Sequence, residues 1–279
     1  MTQTILPHIA PEGLQRARGR AEVAMRADGG RNRLERLYQQ GCAKAILPRS
    51  HARLPEAVLV NTSGGITGGD RLDYVMTAGD GAGLVVTTQA AERIYRAASG
   101  VGQIETRLTL GAGAELAWLP QETIVFEGGA VARRLEVEMA EDAQLTALET
   151  VVLGRAAMGE RVTVGHISDQ WRIRRGGRLV HAEALRASGD LAAATAGPAT
   201  LGGARAFATL IHAAPGAAER IDAVRALLPE GPAVRAAASS KPDLLILRFI
   251  ARDAAPLRAA LFRFLTAFRQ DALPRVWSL

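Results

Sequence analysis

A short unit recurs along the middle of this chain and restricts its possible folds more than any other feature. Met76-Thr77-Ala78-Gly79-Asp80-Gly81-Ala82-Gly83-Leu84 matches Leu108-Thr109-Leu110-Gly111-Ala112-Gly113-Ala114-Glu115-Leu116. Val137-Glu138-Met139-Ala140-Glu141-Asp142-Ala143-Gln144-Leu145 follows the same plan. Each copy reads as a strand, a tight turn and a second strand opening on Leu, at spacings of 32 and then 29 residues. A fourth, weaker copy runs from Trp171 through Gly176-Gly177 to Leu179. Periods of this size point to stacked units that bury their apolar faces against one another. A plain antiparallel meander with look-alike turns also fits. The expected fold is mainly β: layered, β-helix-like sheets with a small number of C-terminal helices.

The chain, residues 1–279, is expected to form one domain, with β-rich layers over about 15–190 and a mixed α/β part over about 204–279. Period-2 alternation in Gln103–Leu110 and Glu136–Met139 marks half-buried strands. Turns are expected at Asp28-Gly29-Gly30, Gly68-Gly69-Asp70, Gly128-Gly129 and Arg175-Gly176-Gly177-Arg178. The texture changes after Asp190. Leu191 to Gly203 reads as a linker, Gly216 to Leu228 as a helix and Leu244 to Ile250 as a strand. Pro256 to Phe268 is the clearest helix, with Leu257, Leu261, Phe264, Leu265 and Phe268 at helical spacing. That stripe suits either a core face or a partner groove.

Composition removes several classes. Only 4% of residues are aromatic, which argues against a sugar cleft walled by Trp and Tyr and so against a polysaccharide-acting β-helical enzyme built on Glu115, Glu122 or Glu127. Net charge is +6 and mostly arginine, spread along the chain without aromatic interleaving, so a basic nucleic-acid-binding module is the weaker alternative and an acidic protein partner the better one. The single cysteine, Cys42, excludes an internal disulfide and reads as a small core residue. Met1 to Pro11 does not read as a signal peptide, and no run approaches the roughly 20 apolar residues of a membrane span. The expectation is a cytoplasmic protein.

Asn61-Thr62-Ser63-Gly64-Gly65-Ile66-Thr67-Gly68-Gly69-Asp70 is the densest motif. A phosphate loop needs Gly-Lys-Ser/Thr opening a helix, and here an alternating strand follows. Gly64, Gly65, Gly68, Gly69 and Asp70 are therefore expected to be structural, with Asp70 bonding the backbone of its own turn. The five histidines, His8, His51, His166, His181 and His212, show no ligand spacing. No serine-hydrolase elbow or zinc-protease motif is present, and no catalytic residue is assigned.

Ser63-Gly64-Gly65-Ile66-Thr67-Gly68-Gly69-Asp70 resembles the Gly-Gly-x-x-Gly-Gly-Asp signature of the UreD/UreH urease accessory family. Arg93-Ile94-Tyr95-Arg96, Trp118-Leu119-Pro120-Gln121-Glu122 and Leu153-Gly154-Arg155-Ala156-Ala157-Met158-Gly159-Glu160 resemble further family elements in the expected order, and the tail ends in Pro274-Arg275-Val276-Trp277. Ala45-Ile46-Leu47-Pro48-Arg49 departs from the family's aromatic-Tyr-Pro segment. The resemblance implies a non-catalytic scaffold that assembles with UreF, the GTPase UreG and the urease structural subunits, and that helps deliver Ni²⁺ to apo-urease. It implies no permanently bound cofactor, only transient Ni²⁺, and it admits a dimer of this chain within the accessory complex. The metal route proposed for the family is an internal water-filled passage lined partly by acidic residues.

Two carboxylates suit such a passage. Glu149 sits in Leu145–Leu153 and Glu183 in Leu179–Leu185, each four residues past the Leu that opens the second strand of a repeat copy, so stacking is expected to align them. His181 should share a face with Glu183, and the two can hold metal weakly. The competing reading is an ordinary buried pair with Arg155 or Arg186.

Overall fold

The computed structural model describes residues 15–49, 52–155 and 158–278. The reading of Met1–Pro11, His8, His51 and the Ala156-Ala157 step of the Gly-Arg element lie outside the described residues. In chain order the strands begin with β1 (Arg18–Asp28), β2 (Arg31–Gly41), β3 (Ala43–Ile46), β4 (Glu56–Asn61), β5 (Arg71–Ala78) and β6 (Gly83–Thr88). They continue with β7 (Glu92–Ile94), β8 (Gly102–Leu110), β9 (Glu115–Trp118), β10 (Thr123–Val125), β11 (Ala130–Met139) and β12 (Gln144–Leu153). After β13 (Gly165–Arg175) and β14 (Arg178–Gly189) come α1 (Leu191–Ala196), β15 (Ala206–Ala213), α2 (Ile221–Ala226), β16 (Val234–Lys241), β17 (Leu244–Ala251) and α3 (Ala254–Arg269).

These strands form a β-solenoid of about four turns. The repeat is its coil. β5, β8, β11 and β13 stack in parallel in one sheet, joined at its edge by β1, and β6, β9 and β12 stack in parallel in the other. The tight turn of each copy carries the chain from the first sheet to the second. The fourth copy does not cross. β13 and β14 form an antiparallel hairpin inside the first sheet, because Gly176 and Gly177 both take positive φ (54° and 75°), the two-residue turn that folds a strand back on its neighbour. Gly29 and Gly30 (57° and 76°) do the same between β1 and β2, so the seven-stranded sheet ends in a hairpin on each side.

The second sheet has ten strands and continues from β12 through antiparallel β15, β17 and β16. Its inner face packs on the first sheet through Leu84, Val86, Leu116, Leu145 and Ala147. Its outer face packs on α3 through Val85, Leu119, Leu148, Leu210 and Phe249. Burial on both faces explains the nearly continuous apolar run of β12. The α3 stripe Leu257, Leu261, Phe264, Leu265 and Phe268 is core. Asp253 precedes α3 as expected but caps nothing with its side chain; it accepts from Arg205 at 3.0 Å instead. The expected linker after Asp190 contains α1, because the Asp190 carboxylate accepts from the Ala193 amide at 2.9 Å. Among the described residues no helix is long and apolar enough to cross a membrane.

Candidate functional site

The second sheet is broken in two successive layers. β6 and β7 are separated by Gln89-Ala90-Ala91, and β9 and β10 by Leu119-Pro120-Gln121-Glu122, where Pro120 lacks the N–H a ladder needs. The next strand, β12, runs straight past both pieces: Ala147 pairs with Trp118 of β9, and Val151 with Thr123 of β10. Glu149 therefore faces the gap. In an unbroken sheet this position would meet a neighbouring strand; here it meets a polar chamber between the sheets.

Arg133 of β11 and Asp169 of β13, register partners on the first sheet, supply the other wall. The Arg133 guanidinium donates to Glu149 at 2.6 Å, to the Thr123 hydroxyl at 2.9 Å and to Asp169, while its Nε has no acceptor. Trp118 Nε1 donates to Glu149 at 2.8 Å and Trp171 Nε1 to Asp169 at 3.2 Å. One guanidinium, with its side chain 5% exposed, is thus shared by two carboxylates. Burial pushes the Glu149 carboxyl up, and the Arg133 charge opposes that shift. A cavity of about 40 Å³ adjoins these groups, lined also by Tyr74, Glu92 and Thr106, with room for ordered water.

Glu92, at the start of β7, links this chamber to the glycine motif. It lines both the chamber and a second cavity of about 160 Å³ beside Asn61, Gly64 and Gly65. Burial raises its carboxyl to about 7 against a hydrogen bond from Asn61 Nδ2 at 3.1 Å. The motif itself is structural. Buried Asp70 accepts from the Thr67 amide of its own turn at 2.9 Å and from the Ala17 amide at 2.8 Å. A Cβ on Gly68 would lie 2.2 Å from the Ser99 carbonyl oxygen, so the loop of the next layer seats only against glycine.

Beyond Glu149 the second sheet carries Thr209 and then Arg248 in the same cross-strand row. Arg248 donates to both Glu183 oxygens, at 2.5 and 2.6 Å, and to Thr209. His181 Nε2 lies 3.4 Å from Glu183, so the two do share one face of β14. Burial would raise the Glu183 carboxyl, but His181 and Arg248 hold it down to about 2. A cavity of about 500 Å³ lined by Leu185, Thr209 and Arg248 adjoins this group.

The expected alignment of Glu149 and Glu183 is not what forms. Because the fourth copy folds back, Glu183 stays on the first sheet and Glu149 on the second. Both still face the space between the sheets. Their counter-ions are Arg133 and Arg248 rather than Arg155 or Arg186; Arg155 pairs with Glu160 at 2.8 Å. Glu115, Glu122 and Glu127 are engaged separately, with Arg53, with Arg258 and with the Thr163 amide and hydroxyl. Cys42 is half-buried at the edge of the core. Among the described residues no three His, Cys, Asp or Glu side chains gather as a metal site.

Arg133, Asp169 and Glu92 were not singled out from the sequence as site residues, although two of them left a signal. Arg133 shares strand parity with Val131, Leu135 and Val137, and Asp169 with Ile167, Trp171 and Ile173, so each is a charge at a core-facing position. The tail motif seals the break from outside. Trp277 Nε1 donates to the Leu119 carbonyl at 3.2 Å, and Arg258 of α3 bridges Gln121 and Glu122 to the carbonyls of Val276 and Trp277.

A family model described as UreD urease accessory protein matches residues 17–278. The chain is 46% identical over 280 residues to a urease accessory protein UreD of Chelativorans sp. (strain BNC1), covering 100% of each chain. It is 48% identical over 266 residues to one of Rhizobium etli, covering 95% of this chain and 96% of the other. A Methylobacterium sp. (strain 4-46) relative of the same description is 47% identical over 277 residues, covering 97% and 98%.

Proposed function

The chain belongs to the UreD family of urease accessory proteins, and on that premise we propose that it is a cytoplasmic, non-catalytic scaffold that binds apo-urease and a UreF–UreG pair and helps deliver Ni²⁺ to the urease active site. The observation that carries this reading is the row of charged groups inside a largely apolar solenoid: Glu92, then Glu149 with Arg133 and Asp169, then Glu183 with Arg248 and His181. Buried charges are a poor way to hold two sheets together, since apolar residues of similar volume hold them as well or better. Their placement beside a strand break, in cavities with room for water, suits a path for a cation.

Ni²⁺ is cargo on this reading, not a resident cofactor. Carboxylate and hydroxyl oxygens with a lone imidazole, and no thiolate, hold such a dication weakly, as a conduit requires. The route would enter beside Gly64, Gly65 and Glu92, reach Glu149 and Asp169, and leave past Thr209 toward Arg248 and Glu183.

The scaffold is tested by co-expression with the urease structural subunits and UreF. The tagged chain should retain both through purification at low salt, and a chain that retains neither contradicts the reading.

A further inference from the structure

Two buried carboxylates with one guanidinium between them carry a net charge of −1 when both are ionised. A dication added beside the guanidinium would turn that into +1, an imbalance of the same size and opposite sign. Without Arg133 the same dication would take the two carboxylates from −2 to neutrality, so the guanidinium removes the charge neutralisation that would otherwise favour occupancy. The geometry gives it the means. It holds Glu149 and Asp169 from opposite sheets, its Nε bonds nothing, and a cavity of about 40 Å³ lined also by Tyr74 and Thr106 adjoins the three groups.

We propose that Arg133 is the release element of the passage: its guanidinium competes with the cargo cation for Glu149 and Asp169, so that the cation stays there only briefly. Arg133 is a positioning residue on this account, acting through the two carboxylates. The inference rests on the passage reading for its biological meaning, but the competition itself is a property of this chain alone. Arginine suits the task because it stays protonated even when buried, so the competing charge does not lapse. Thr123 holds one end of the guanidinium, which keeps it within reach of the carboxylates when a cation intervenes.

The test is equilibrium dialysis of the purified full-length chain against nickel sulfate, with no partner protein present. Arg133→Met and Arg133→Gln should each bind one Ni²⁺ at least ten-fold more tightly than the wild type. Adding Glu149→Gln and Asp169→Asn to either should abolish the gain. Folding is followed by circular dichroism and thermal melting. If the variants unfold without metal, Ni²⁺ should restore a cooperative melt, because the cation replaces the missing guanidinium. A folded variant with wild-type affinity overturns the proposal, as does an unfolded one that Ni²⁺ does not rescue. Failure of the passage reading looks different: nickel would bind tightly to Arg133→Met while urease activation in cells stayed at the wild-type level. Conversely, unchanged affinity together with reduced activation by Glu149→Gln would remove the release role and leave the passage standing.

Discussion

Glu92 carries a carboxyl that burial shifts toward neutral pH. Its pKa in the fold, about 7, lies above the ordinary 4.5, so the fold favours the neutral acid. The stability this contributes is complete below about 4.5 and is lost as pH rises through about 7. At 1.36 kcal/mol per unit it amounts to about 3 kcal/mol. Denaturation at pH 4 and pH 8 should show the wild type losing about that much more than Glu92→Gln across the interval, and parallel losses would contradict the assignment. Glu183 behaves oppositely: with its pKa held at about 2, its contribution is present above 4.5 and lost as pH falls through 2, so Glu183→Gln should flatten the acid limb of the stability curve. Glu149 was legible as a charge in an apolar strand. Asp169 and Arg133 were legible only by parity within β13 and β11, and nothing local told that Arg133 would meet Glu149 rather than solvent. That contact depends on which strand of the second sheet lies across from β11.

The turns and strand ends are where sequence and structure agree most closely and where the fourth copy was misread. A copy whose turn carries two adjacent glycines at positive φ folds back within its sheet; the three copies without such a pair cross to the other. Gly177 has open space around its missing side chain, so Gly177→Val isolates the conformational cost of φ 75°. The expected loss is about 1–2 kcal/mol in chemical denaturation. Gly68→Ala should destabilise through its clash with the Ser99 carbonyl instead, and a Gly68→Ala protein of wild-type stability would refute that packing. Trp277→Ala should cost about 3–5 kcal/mol and speed hydrogen exchange on both sides of the β9–β10 break. β15 and β16 escaped sequence reading for physical reasons. β15 is buried on both faces and shows little alternation, while β16 is an edge strand of Ala and Ser, residues with little intrinsic preference for a sheet.

At the scale of the whole molecule, the repeat foretold a stack of layers but not the third layer, α3, nor that the separate motifs would assemble around one strand break. The glycine motif borders the chamber through Asn61 and Glu92, Trp118 and Pro120 frame the gap, and the tail closes it. Sequence order conceals this because the solenoid brings each motif beside one a full turn away. Arginine dominates the positive charge, so docking onto acidic partner surfaces should weaken with ionic strength; recovery of the urease complex in pull-down should fall between 0.05 and 0.5 M salt, roughly following Debye screening. The central claim, that the interior charges carry cargo, is tested most directly by the nickel content of urease matured with Glu149→Gln/Glu183→Gln in place of the wild-type chain. Passage predicts that the double variant still co-purifies with urease and UreF while the urease formed contains markedly less nickel. A full complement of nickel in that urease, with the complex intact, would contradict it.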